Sequence, residues 1–461
     1  MKTVRPGAFA VVLLVGAGVC SGGVPVQTED LKLTRSAPNE DDTFGERLAI
    51  SGSTVVVGAK FADHSGVSEA GAAYIFDLTT GEQVSELTAS DAARRDWFGS
   101  AVAVDGTNAL IGARFNNHSG LIAAGAVYVF DLTTGMEVDK LVASDAESGD
   151  AFGSAIAVSG RTALVRASFD DHSGSTDAGS AYVFDLRTRS EVKKLTRDEP
   201  GDDDQLGGAV AISGRSALIA VNAHDHSGFE DAGAVFVFDL MTGDEVAKLT
   251  SPEPIVGEYW GSSVAISGTT AIVGARLHDH SGLENAGAAY VFDLAADRFV
   301  AKFTAPDASE ADFFGWSVAI SGRLAVITAY QGDHGGVSNS GVAYVFDLAT
   351  GRQVSKLVAS DAAARDRFGF SVAIDGTTAV LSATGDDHGG VPDAGSVYVF
   401  RLDPPCAADL AEPAGVLDFA DVGALADALV RRSSIADVNF DGVSDLGDIV
   451  AFVGSFTAGC P

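Results

Sequence analysis

The sequence predicts an all-β chain, a seven-bladed β-propeller with four strands per blade, followed by a small α-helical calcium-loop module. Three observations carry this reading. First, an aromatic–glycine pair recurs at Phe44-Gly45, Phe98-Gly99, Phe152-Gly153, Trp260-Gly261, Phe314-Gly315 and Phe368-Gly369, with Leu206-Gly207 filling the one gap, at a constant spacing of 54 residues. Such a period marks a fold in which each unit buries its apolar face against its neighbours. Second, each unit holds four short runs rich in Val, Ile, Ala, Tyr and Phe, separated by small glycine turns. Third, the composition changes after Pro404-Pro405, where a different and shorter repeat begins.

Residues 1–23 read as a signal peptide. Lys2 and Arg5 precede an apolar run from Ala8 to Val19, and small residues follow from Cys20 to Gly23. That run is too short to span a bilayer, and no later stretch is long and apolar enough, so an exported protein without a membrane span is expected. The formal charge is −33, and loss of Lys2 and Arg5 with the leader brings it to −35. A chain this acidic is a poor partner for nucleic acid or an anionic membrane, both of which reward clustered Lys and Arg.

The propeller is expected over residues 24–403. In the second unit the strands are 100–104, 109–113, 125–132 and 137–143, joined by the turns Asp105-Gly106-Thr107 and Thr133-Thr134-Gly135 and by a long polar loop between strands two and three. The seventh unit runs out after its third strand, 396–402. Its missing outer strand matches Leu31-Lys32-Leu33-Thr34, which precedes the first aromatic–glycine pair at the offset where Glu86-Leu87-Thr88 precedes the second. The start of the chain is therefore predicted to complete the last blade and close the ring, removing an exposed sheet edge.

The units resemble the FG-GAP repeats of the integrin α-chain propeller and its bacterial relatives. The likeness covers residues 31 to about 402 and rests on the aromatic–glycine pair, on Val57-Gly58-Ala59, Ile111-Gly112-Ala113 and Ile272-Val273-Gly274-Ala275, and on Gly71-Ala72-Ala73-Tyr74-Ile75-Phe76 with its copies. The proline of the family's GAP element is absent, replaced by Lys60, Arg114, Arg276 and others. The Asp-rich calcium loop that some members carry between strands one and two is also absent, since Ser51-Gly52-Ser53 or Asp105-Gly106-Thr107 leaves no room for a calcium cage.

In a four-stranded blade the 2–3 and 4–1 connections share one face of the disc. Here they are the long polar ones, which makes that face the candidate binding surface for a protein or glycan. All nine histidines lie in the 2–3 loops, and seven recur with the period. They form the pairs Asp63-His64, Asn117-His118, Asp171-His172, Asp225-His226, Asp279-His280, Asp333-His334 and Asp387-His388; His224 and His278 are extra. One reading is a ring of imidazoles and carboxylates that binds a transition metal or senses acid. The favoured reading is a duplicated turn, with Asp capping backbone N–H groups and Gly supplying positive φ.

The 4–1 loops carry acid pairs such as Asp91/Asp96, Asp145/Asp150, Asp307/Asp312 and Asp361/Asp366. Paired carboxylates suit glycoside cleavage, but their recurrence in nearly every blade argues for turn capping. The Phe-Asp pairs that end the third strands read as core packing followed by a turn acid.

Residues 406–461 contain two similar stretches, from Gly415 and from Gly442, each leading into a helix-like segment. In the second copy Asp437, Asn439 and Asp441, with Gly442 and a closing Asp448, match the spacing of an EF-hand-type loop. Calcium ligands are expected from Asp437, Asn439, Asp441, the Val443 carbonyl and Asp448, with Asp445 acting directly or through water. The first copy has Pro413-Ala414 where acids belong. With Cys20 lost to the leader, Cys406 and Cys460 form an even pair, which in an exported chain reads as one disulfide. Such a clasp would restrict the unfolded module by about 4 kcal/mol in the entropy model.

Two tandem calcium-loop–helix units resemble a dockerin, and Cys406 with Gly459-Cys460-Pro461 resembles the GC-type dockerin-like tails of exported planctomycete proteins. The resemblance implies attachment to a cohesin-like or cell-surface protein over residues 404–461. The expected whole is a non-catalytic extracellular binding, adhesion or display propeller carried by this tail. The alternative is a secreted polysaccharide-active hydrolase or lyase on the same tail.

Overall fold

The protein is described by a computed structural model covering residues 24–40, 42–198, 206 and 208–403. The residues read as a calcium loop, Asp437 to Asp448, and the cysteines Cys406 and Cys460 lie outside this range, as does the leader.

The described residues form seven antiparallel sheets arranged as blades. Blade 2 is representative, with strands Phe98–Asp105, Asn108–Ala113, Ala126–Asp131 and Met136–Leu141 in that order from the axis outward. The second and third strands are buried along nearly their whole length because blades cover both of their faces. The outer strand is mostly half-buried, since only one of its faces meets a neighbour. The inner strands pack on one another in succession, and Phe368–Asp375 of blade 7 packs back on Arg47–Ser51 of blade 1. The circle is closed.

Closure happens as the repeat offset predicts. Leu31–Leu33 pairs antiparallel with Ser396–Arg401, placing Leu31 opposite Val399, Lys32 opposite Tyr398 and Leu33 opposite Val397. On the opposite face a second ring of contacts runs between 1–2 turns. The Ser51 hydroxyl accepts the Gly106 N–H (3.1 Å), Ser321 accepts Gly376 (3.0 Å), and Asp375 accepts Gly52 (2.7 Å) across the junction of the chain's two ends.

Two features differ from the sequence reading. The aromatic–glycine pair begins the inner strand in blades 2, 3 and 7 instead of preceding it. A β-bulge after the pair accommodates Gly99 at φ +89°, where an added Cβ would lie 2.4 Å from the Ala72 carbonyl oxygen of blade 1. This glycine is where one blade's backbone abuts the last. The other difference is a fifth strand. Val26–Gln27 adds to blade 6 in parallel along its outer strand Arg352–Leu357, so the leading segment bridges two blades before it closes the seventh.

The core is made of clusters between blades. The aromatic of each repeat pair inserts against its own third strand: Phe98 meets Tyr128 and Phe130 at 5.5 and 6.0 Å, and Phe152 meets Tyr182 and Phe184 at 5.5 and 5.9 Å. Edge-to-face geometry at these separations adds to the burial of each ring.

Candidate functional site

The 2–3 and 4–1 connections lie together on one face. Their backbones join directly: the Arg95 N–H donates to Ser68, Gly149 to Ile122 and Gly257 to Glu230. The loops therefore form one layer above the sheets.

Each 2–3 loop is a small hairpin. In all seven blades the repeat histidine pairs with the residue three positions on, as His64 does with Val67 and His388 with Val391. Between them Ser65 (φ +52°) and Gly66 (φ +81°) both adopt left-handed backbone, as a type I′ turn requires. The Asp or Asn before each histidine caps the hairpin's far side. Asp63 Oδ1 accepts the Glu69 N–H at 2.8 Å, and Asn117, Asp171, Asp225, Asp279, Asp333 and Asp387 do the same in their blades.

The imidazoles are half-buried. That of His172 donates to the Gly179 carbonyl at 3.0 Å. Burial, as the largest cause, lowers the pKa of His118, His226, His280 and His388, which are uncharged at neutral pH. Among the described residues no three His, Cys, Asp or Glu side chains converge as a metal would require.

The 4–1 acids have a different role, one not visible in their spacing. Asp91 accepts the Tyr128 hydroxyl at 2.5 Å and the Lys140 ammonium at 2.6 Å, both from the blade that the loop leads into. Asp145 repeats this with Tyr182 (2.8 Å) and Lys194 (2.7 Å), and Asp307 with Tyr344 (2.7 Å) and Lys356 (2.6 Å). In blade 7 Asp361 takes Tyr398 at 3.0 Å and Lys32 at 2.7 Å, so the closing strand supplies the lysine. Burial works against ionisation of these four acids, but the bonds from lysine and tyrosine outweigh it and hold each carboxyl below the ordinary aspartate value.

The second acid of each pair is buried and caps its own loop. Asp96 accepts the Ala93 N–H at 3.0 Å, and Asp150 accepts that of Glu147 at 2.7 Å. Burial raises Asp150 and Asp366 to about 6, with the carboxylates of Asp170 and Asp386 contributing in the same direction. In blade 5 Glu253 holds Lys302 at 2.7 Å, and the second acid, Glu258, contacts the buried His278 at 2.7 Å. Blade 1 differs, with Arg35 stacked over Tyr74 and bonded to Asp42. These groups join blade to loop, and the recurring acid pairs are occupied by that task.

Towards the axis the loop face carries aromatic rings with cations stacked on them. Trp97 lies against Phe61 and Phe115, with Arg114 4.7 Å from its ring centre. Trp316 lies against Tyr330 and Phe370, with Arg276 at 4.6 Å. Sequence reading noted these arginines only as replacements for proline. Their repeat position, shared and adjacent to the inner strands, was the available signal.

The family model described as FG-GAP repeat matches residues 28–76, 82–130, 136–184, 244–292, 298–346 and 352–400. The chain belongs to the FG-GAP repeat family. The matches start in one blade's outer strand and end in the third strand of the next, the same offset by which Leu31–Leu33 closes the ring. The one repeat left unmatched, 190–238, holds Leu206 in place of the aromatic. Comparison with curated proteins gives no match. No helix among the described residues is long and apolar enough to cross a membrane.

Proposed function

We propose that this FG-GAP propeller is a non-catalytic extracellular binding or display module. FG-GAP propellers commonly serve binding and adhesion, and the loop-bearing face is the surface assigned to that task here. The supporting observation is the pinning of the 4–1 loops to the following blade by the Asp–Tyr–Lys sets. This holds a broad polar face rigidly, which favours recognition because little loop entropy is lost on association. The same sets engage the acids that a glycoside hydrolase would need free.

The tail completes the proposal. Asp437, Asn439, Asp441, Val443, Asp445 and Asp448 bind calcium, the Cys406–Cys460 disulfide clasps the module, and a cohesin-like or cell-surface protein receives it. Capture experiments from native cell envelope, with the full chain and with a tail-deleted chain as baits, test both halves. The tail-dependent partner is expected to be lost on calcium chelation and in Asp437→Ala, whereas propeller-dependent partners persist. Release of reducing ends from a polysaccharide by the full chain would replace this reading with the enzymatic one.

A further inference from the structure

Arg114 and Arg276 depart from the pattern set by several partly buried lysines. The chain has 63 acids to 30 Lys and Arg, so carboxylates are plentiful. Its partly buried lysines take them up: Lys32, Lys140, Lys194, Lys302 and Lys356 each hold a carboxylate within 2.7 Å. Arg114 and Arg276 are partly buried too, yet neither side chain makes a hydrogen bond or ion pair among the described residues, and the Nε of each is buried without a partner. Their contacts are with the rings of Trp97 and Phe115 and of Trp316. Glu46, within electrostatic reach of Arg114, is taken by Lys60 at 2.6 Å. A guanidinium Nε–H buried without an acceptor is costly, and such a cost is characteristic of sites that wait for a ligand.

The placement is as informative as the lack of partners. Both arginines follow the second strand of their blades and occupy the same repeat position, three blades apart. They therefore stand nearly opposite one another around the axis, on the loop-bearing face. Arg166, from the blade beside Arg114, is close enough to repel it. Arg114, Arg166 and Arg276 thus bring positive charge to the loop-bearing face of an acidic disc. The surrounding negative charge disfavours densely charged polymers such as nucleic acid. What fits is a chain with spaced anions and flat apolar surfaces between them, because planar guanidinium forks match carboxylate and sulfate and the half-exposed rings offer faces for stacking.

We propose that the loop-bearing face binds the carboxylate or sulfate groups of an acidic polysaccharide, with Arg114 and Arg276 as its two principal contacts. The inference rests on the binding-module reading and specifies the ligand class of the same face.

Tryptophan fluorescence provides the test, since Trp97 and Trp316 touch the arginines while Trp260 is fully buried. The full chain is titrated with oligogalacturonate and with a sulfated oligosaccharide. Neutral maltooligosaccharide, polyglutamate and inorganic sulfate serve as comparisons at equal ionic strength. One or both acidic glycans are expected to perturb the emission, and the double variant Arg114→Gln/Arg276→Gln to weaken binding at least tenfold. Arg94→Gln, on the exposed rim, should bind as the parent does. The double variant should melt no lower than the parent, since it removes unpaired charge. Silence with both acidic glycans, unaltered binding by the variant, equal affinity for polyglutamate or free sulfate, or a lowered melting temperature would each overturn the proposal. Envelope capture separates the two levels. A partner retained equally by parent and double variant leaves the binding reading standing and removes this inference, whereas no partner for either removes both.

Discussion

Blade 7 and blade 4 depart from the repeat in opposite ways. Blade 7 is discontinuous, assembled from Phe368–Asp375, Thr378–Ala383 and Ser396–Arg401 together with Leu31–Leu33 from the far end of the chain. Yet it reproduces the side-chain contacts that join loop to outer strand in a continuous blade. Lys32 takes the place of Lys140 beside the loop acid and tyrosine, and Glu29 receives Ser360 as Glu137 receives Ser90. Blade 4 is continuous from its inner strand to its outer one but has lost residues. Leu206 replaces the aromatic and Phe236 replaces the third-strand tyrosine. Its sheet still pairs in register, Ser216–Val221 on Ala234–Asp239. Backbone pairing and burial therefore sustain a blade without its signature residues, while the side-chain network recognises position in space and is indifferent to where the chain is cut.

The comparison is broken most severely by removing residues 24–34. Blade 7 then keeps an open edge and blade 6 loses its fifth strand. A fall in melting temperature of more than about 10 °C, with concentration-dependent association in sedimentation, is expected. A shortened chain that stays monomeric with an unchanged melt would show that closure contributes little.

Next in size are the ring substitutions. Phe98→Ala should cost about 3–5 kcal/mol in denaturant unfolding, and Leu206→Ala about 2–3 kcal/mol, because the smaller side chain leaves the smaller cavity. Equal losses would mean that blade 4 packs as tightly as its neighbours.

Lys32→Met and Lys140→Met sharpen the equivalence of closing and continuous strands. Each leaves a loop acid without its cation and should cost about 1–2 kcal/mol, with the two values agreeing within about 0.5 kcal/mol. A markedly smaller effect at Lys32 would show that the closing strand is held by its backbone alone.

The smallest effect concerns pH. Asp150 and Asp366 have folded-state values raised to about 6, so the stability that their protonated forms contribute is complete below about pH 4 and is lost as pH rises through 6. The double change Asp150→Asn/Asp366→Asn should flatten melting temperature against pH between about 4 and 6. Each site is expected to account for about 1 kcal/mol once solvent screening is allowed for. Asp91 and its equivalents act in the opposite sense, losing their contribution as pH falls below about 4.

The period, the four strands and the ring closure were legible because they are local patterns repeated at one spacing, and Leu31-Lys32-Leu33 carries the outer-strand pattern intact. The histidine hairpins were legible for the same reason, with an acid, a turn residue and a glycine in fixed order. The Asp–Tyr–Lys sets were not, since Asp91 and Lys140 meet only because one blade curves over the loop of the last. Val26–Gln27 escaped notice because two residues hold no alternation to detect. Blade 1 shows a further limit: Arg35 reaches the Tyr74 ring in place of a loop acid, which residue-by-residue matching reads as a loss.

The third strand of blade 7 runs from the loop layer toward the turns, and the Leu402 N–H closes on the Thr377 carbonyl in a 1–2 turn. Asp403, the last residue described, thus stands at the back of the disc. A tether fastened there would aim the loop-bearing face outward, away from whatever it is moored to. Geometry of that kind suits a molecule that presents one surface while being held by the other.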